Sequence, residues 1–95
     1  MATKKERAVI VCTEFKGVFF GYATKTEGDV IQLKRARNCI YWDAKTGGFM
    51  GLAQNGPGTG CRIGATADIE LRKVTCVLEV TEAAEKAWVG AKCVF

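Results

Sequence analysis

Residues 7–15 read Arg-Ala-Val-Ile-Val-Cys-Thr-Glu-Phe (RAVIVCTEF), and this run decides the fold. It is β-branched and apolar at successive positions, the pattern of a central strand. Lys16-Gly17 supplies a turn, and Val18–Thr24 (VFFGYAT) follows as a second strand. Strand alternation puts Val18, Phe20 and Tyr22 on one face and Phe19, Gly21 and Ala23 on the other. Lys25–Asp29 reads as a hairpin turn in which Gly28 is free to take a positive φ. A third strand runs from Val30 towards Trp42, and a three-strand antiparallel meander is the economical topology.

Residues 43–64 differ in character. They hold seven of the eleven glycines and the single proline, so regular strand is not expected there. Thr46 is placed to cap a short helical turn carrying Phe49, Met50, Leu52 and Ala53, weakened by three glycines. Strand character returns at Ile63 and again over 69–80. Within the latter, the apolar phase switches near Arg72-Lys73, which predicts a β-bulge or strong twist. Thr81 then caps a helix from Glu82 to about Val89, with Ala84, Ala87 and Trp88 inward and Gly90 ending it. The expected class is α+β: a twisted antiparallel sheet or small open barrel, with a glycine-rich loop and a short C-terminal helix. The 95 residues form one domain, with residues 1–6 as a flexible N-terminus and 43–64 as a loop insertion.

Two zero counts exclude whole classes of chemistry. There is no histidine and no serine, which removes the Ser-His-Asp triad, the Cys-His pair and every histidine metal site. The five cysteines, at 12, 39, 61, 76 and 93, lie no closer than fifteen residues apart, so neither a metal knuckle nor a redox CxxC exists. Cys12, Cys39 and Cys76 sit in apolar runs and read as buried thiols of a cytoplasmic protein, with no disulfide framework. No carboxylate pair has a spacing that demands a general acid and base. The expectation is a protein with no catalytic residues, metal or cofactor. No apolar run is long enough to span a bilayer, and no signal-peptide pattern opens the chain. A net charge of +4 suits an anionic partner but falls short of a dedicated nucleic-acid arm.

Two constellations could hold such a partner. In Lys34-Arg35-Ala36-Arg37-Asn38-Cys39-Ile40-Tyr41-Trp42, a regular strand projects Arg35, Arg37 and Tyr41 from one face. Two guanidiniums at this spacing suit a phosphate or carboxylate, and Tyr41 or Trp42 could stack on a base. Ile31 and Leu33 occupy that same face earlier in the strand. Either the strand passes from core to rim, or a bulge breaks its phase. The plainer alternative makes Arg35 and Arg37 exposed strand residues that guard against aggregation, and Tyr41 and Trp42 core aromatics. The second constellation is the loop Asn55-Gly56-Pro57-Gly58-Thr59-Gly60-Cys61-Arg62. Its N–H groups could converge on an anion, with Asn55, Gly58, Thr59 and Arg62 as candidate contacts. It is neither a Walker loop nor a dinucleotide fingerprint, and a plain flexible loop explains it too.

Several short elements resemble a family of small uncharacterised proteins of tailed bacteriophages and prophages. They are Gly17-Val18-Phe19-Phe20-Gly21, Ala36-Arg37, Tyr41-Trp42, Leu52-Ala53-Gln54-Asn55-Gly56 and Glu79-Val80-Thr81-Glu82-Ala83-Ala84. The chain departs from that family at Asp43–Met50, where it carries extra glycine. The resemblance implies a phage origin and supplies no activity. Phages encode many domains of this size that act against host defence without catalysis, and some sequester cyclic nucleotides between subunits. The residues themselves suit such a role, with arginines for phosphate, Tyr41 and Trp42 for bases and the glycine loop as a lid. The leading expectation is a homo-oligomer that sequesters a small anionic ligand, a cyclic nucleotide signal, in the host cytoplasm. An interaction module that inhibits a host protein is the second reading. Nucleic-acid binding is the third, and the modest charge disfavours it.

Overall fold

The computed structural model describes residues 6–14, 17–41, 47–58 and 61–91. Six strands and two short helices follow the chain: β1 (Arg7–Thr13), β2 (Val18–Ala23), β3 (Val30–Tyr41), α1 (Gly48–Asn55), β4 (Arg62–Ile63), β5 (Ala67–Arg72), β6 (Val74–Glu79) and α2 (Glu82–Gly90). The architecture is a mostly antiparallel, open sheet with the two helices packed on it. Strand order is β4-β3-β2-β1-β6, with β5 also paired to β3. The β1-β2-β3 meander expected from the sequence forms, and Gly28 takes a φ of 79° in the turn before β3.

β1 lies between β2 and β6, and Val9, Ile10 and Val11 are fully buried. Its alternate residues feed two separate cores. Ala8, Ile10 and Cys12 join Val18, Phe20, Leu52, Ile63, Ala84 and Trp88 under the helices. Val9 and Val11 join Ala23, Ile31, Leu33, Ala36 and Leu71 on the opposite face. Leu71 of β5 belongs to that second core, and Val74 and Val77 of β6 pack against it. These two strands are consecutive along the chain, yet β5 pairs with β3 and β6 with β1. The chain turns between them at Lys73, a left-handed residue at φ 57°, where the sequence predicted a phase switch.

The stretch expected as a glycine-rich loop is more ordered than its composition suggests. Its described part holds α1, an eight-residue helix, and β4. Tertiary contacts supply what helix propensity lacks. Gly47, rather than the expected Thr46, is the N-cap, and Thr46 lies outside the described residues. At the other end, α2 and its cap residue bond the last carbonyls of α1, of which Leu52 O also accepts from Gly56 N. The Trp88 indole donates to Leu52 O at 3.1 Å, Thr81 N to Ala53 O at 3.0 Å, and the Thr81 hydroxyl to Gln54 O at 2.6 Å. Thr81 also caps α2 as predicted, accepting from Ala84 N at 3.1 Å. No helix among the described residues is long and apolar enough to cross a membrane.

Candidate functional site

The site begins with an irregularity in β3. Arg35 sits at φ 51°, a left-handed conformation that a side chain other than glycine adopts at some cost. It is an extra residue relative to both neighbouring strands. Across β2 the partners step from Tyr22↔Lys34 to Phe20↔Arg37, and across β5 from Leu33↔Ile69 to Ala36↔Ala67. This bulge settles the conflict between Ile31, Leu33 and the arginines. Ile31, Leu33 and Ala36 fill the sheet's own core, while Cys39 beyond the bulge joins the core under the helices. Asp68 holds the bulge in place, its Oδ1 accepting from Arg35 N at 2.9 Å and its Oδ2 pairing with Lys34 Nζ at 3.6 Å. The Arg35 N–H, helped by the Lys34 ammonium, keeps the Asp68 carboxyl below its ordinary value.

The bulge sends the two arginines to different tasks. Arg37 is buried, with 7% of its surface exposed. Its Nε donates to Gly64 O at 3.0 Å, and its Nη1 donates to Trp88 O at 2.8 Å and Ala91 O at 2.5 Å. The last turn of α2 contains no basic residue, so β3 delivers the cation that this helix end favours. Arg35 instead stays exposed. Its guanidinium pairs with Glu6 at 2.6 Å and lies 4.4 Å from the centre of the Tyr22 ring.

Behind Arg35 runs a row of aromatic rings. Trp88 stacks on Phe20 at 5.1 Å with 5° between the planes, and Phe20 meets Tyr22 edge-on at 5.5 Å. The Tyr22 hydroxyl donates to Glu85 Oε2 at 2.7 Å, and burial, with that carboxylate, pushes the phenol up to about 12. An open pocket of about 230 Å³ lies here, lined by Phe20, Tyr22, Arg35, Arg37, Thr66 and Val89. A larger depression of about 490 Å³ at the β2–β3 turn carries Glu27, Asp29 and Glu70 against Lys25. Three carboxylates against one lysine suit no anion, so the smaller pocket is the better candidate.

Arg35 and Arg37 both line this pocket, but through the bulge and not from one face of a regular strand, Arg35 exposed and Arg37 buried. Tyr41 is exposed about 13 Å further along β3, at 3.3 Å per residue, where it pairs with Arg62 of β4. Asn55 ends α1 and is exposed, and Gly58 follows it, its carbonyl accepting from Cys61 N at 3.1 Å. Neither borders the pocket. Trp42 and Thr59 lie outside the described residues. Sequence reasoning missed Phe20, Tyr22, Thr66 and Val89 as lining residues. Tyr22 was legible in part, because alternation already placed it beside Phe20. Thr66 and Val89 arrive from distant segments and carry no local signal.

Residues 6–88 match the family described as a domain of unknown function (DUF6948), and the chain belongs to that family. The expectation of an uncharacterised family is met at that level. No curated protein and no solved structure matches the chain.

Proposed function

We propose that this protein is a non-catalytic binder that sequesters a small anionic ligand at the Arg35 pocket. One observation carries the reading: an exposed guanidinium lies over an aromatic ring at the mouth of a pocket walled by a second arginine. A phosphate would compete with Glu6 for Arg35, and a flat ring would stack on the guanidinium plane or against Tyr22. Arg37 contributes positive potential from behind while remaining committed to the end of α2.

At about 230 Å³ the pocket is smaller than the roughly 300–1,000 Å³ typical of small-molecule sites. It accommodates part of a cyclic nucleotide, not the whole. A homo-oligomer that closes a second copy over the same ligand is accordingly part of the proposal. Such a copy is what would bring Tyr41, Arg62, Asn55 and Gly58 to the ligand, since within one chain they stand apart from the pocket. A phage protein acting on a cyclic nucleotide signal in the host cytoplasm fits this chemistry and the sequence resemblance.

Native mass spectrometry of the protein with cyclic di- and trinucleotides and ADP-ribose isomers tests the proposal. The expected result is an intact ligand bound per subunit or per pair. Arg35→Ala should weaken binding roughly ten- to a hundredfold, the worth of a charge-assisted contact. A clean spectrum with no shift across the panel, or unchanged binding by Arg35→Ala, overturns it.

A further inference from the structure

Five cysteines spread along 95 residues read as isolated thiols, yet the fold brings two of them into register. Cys12 of β1 and Cys76 of β6 are direct cross-strand partners in the antiparallel pair. Both side chains belong to the core face under the helices, Cys12 within that cluster and Cys76 packed against it. Residues directly opposite in such a pair have Cα atoms roughly 4.5–5.5 Å apart. That lies within the roughly 4.4–6.8 Å that a disulfide spans. A β-bulge follows at once, because Thr13 pairs with Val74 and leaves Thr75 over, and the Thr75 hydroxyl donates to Cys12 O at 3.2 Å. A bulge of this kind bends and twists its strand locally, beside the pair.

Access is asymmetric in a useful way. Cys12 is 7% exposed, whereas Cys76 is only half-buried on β6, which ends the strand order. We propose that Cys12 and Cys76 form a reversible cross-strand disulfide, with a low-molecular-weight disulfide such as oxidised glutathione as the oxidant. The Cys76 thiolate attacks one sulfur of oxidised glutathione, making a mixed disulfide and releasing one glutathione thiolate. Cys12 then loses its proton and attacks the Cys76 sulfur, expelling the second glutathione. Two protein thiols give up two electrons and two protons, and one molecule of oxidised glutathione becomes two of the reduced form. The product staples β6 to the central strand across a long loop of chain.

Cys39 and Cys61 also belong to that core, but the comparison favours the first pair. The Cys39 thiol is turned to Tyr41 O at 3.5 Å, and Cys61 stands just before β4 rather than within a strand.

The test treats the folded, reduced protein with oxidised glutathione, alkylates remaining thiols and maps the linkage by peptide mass spectrometry. The expected product is about 2 Da lighter than the reduced chain for each bond formed, with peptides 12 and 76 joined. Its melting midpoint should rise and return on addition of dithiothreitol. Cys76→Ser should abolish both the linkage and the rise, while Cys61→Ser should retain them. Recovery of Cys12 and Cys76 as separately alkylated or glutathionylated residues overturns the proposal, whatever Cys39 and Cys61 do. So does a 12–76 linkage that appears only after denaturation.

Discussion

Arg37 and Arg35 are two residues apart and chemically identical, and the bulge between their strand positions gives them opposite lives. Arg37 carries its charge into the interior, where each of its three hydrogen bonds goes to a backbone carbonyl that would otherwise lack that partner. Removing the guanidinium leaves Gly64, Trp88 and Ala91 carbonyls facing a cavity. Arg37→Ala should therefore cost about 3 kcal/mol or more in denaturant unfolding. Arg37→Lys should recover only part of that, because one ammonium cannot reproduce a planar fork aimed at two sides. A loss below about 1 kcal/mol for the alanine variant would mean that water satisfies those carbonyls instead. Arg35→Ala, by contrast, removes exposed contacts to Glu6 and Tyr22, and its effect belongs mainly to binding.

At the scale of elements, α1 and α2 meet at Gly56, the residue that ends α1. Its φ of 83° is left-handed, and a Cβ there would lie 2.6 Å from Ala87 Cβ and 3.1 Å from Ala84 O. Gly56→Ala should thus cost roughly 2–4 kcal/mol, from backbone strain plus a forced separation of the helices. Replacing Ala87 with glycine as well removes the first collision but not the strain. The double variant Gly56→Ala/Ala87→Gly should be less destabilised than the two single losses added together, and strict additivity would show that the helices do not collide there. This contact explains what the sequence could and could not reveal. β1, β2, β3 and α2 were legible because alternation, turn glycines and the Thr81 cap are local signals. α1 was legible only as a turn, because Gly47, Gly48 and Gly51 argue against a helix and its support comes from Thr81 and Trp88, some thirty residues on. The candidate site was half legible for the same reason. Spacing brought out Arg35 and Arg37, while the alternation of Ile31 and Leu33 left a choice between a rim and a bulge. Asp68 and the α2 carbonyls that decide the choice lie far along the chain.

For the whole molecule, two cores share one strand, and the groups buried around them couple folding to pH. Burial pushes the Cys12 thiol from 9.0 up to about 12, with the Cys76 thiol beside it adding to the shift. Cys39 rises likewise to about 12, again chiefly by burial and then by Cys61. The Tyr22 phenol moves from 10.0 to about 12 through burial and its bond to Glu85. All three groups hold their protons more tightly when folded, so between the two values the native chain binds more protons than the unfolded one. Stability then falls as pH rises. Their contribution is complete below about pH 9 and is lost progressively towards pH 12. Urea midpoints measured with reductant present should hold steady up to about pH 9 and then decline. Tyr22→Phe keeps the ring stack and removes one titrating group, so its decline above pH 10 should be shallower than that of the parent chain. A parent midpoint that stays flat to pH 12 would mean that these groups ionise without unfolding, and hence that water reaches the core under the helices.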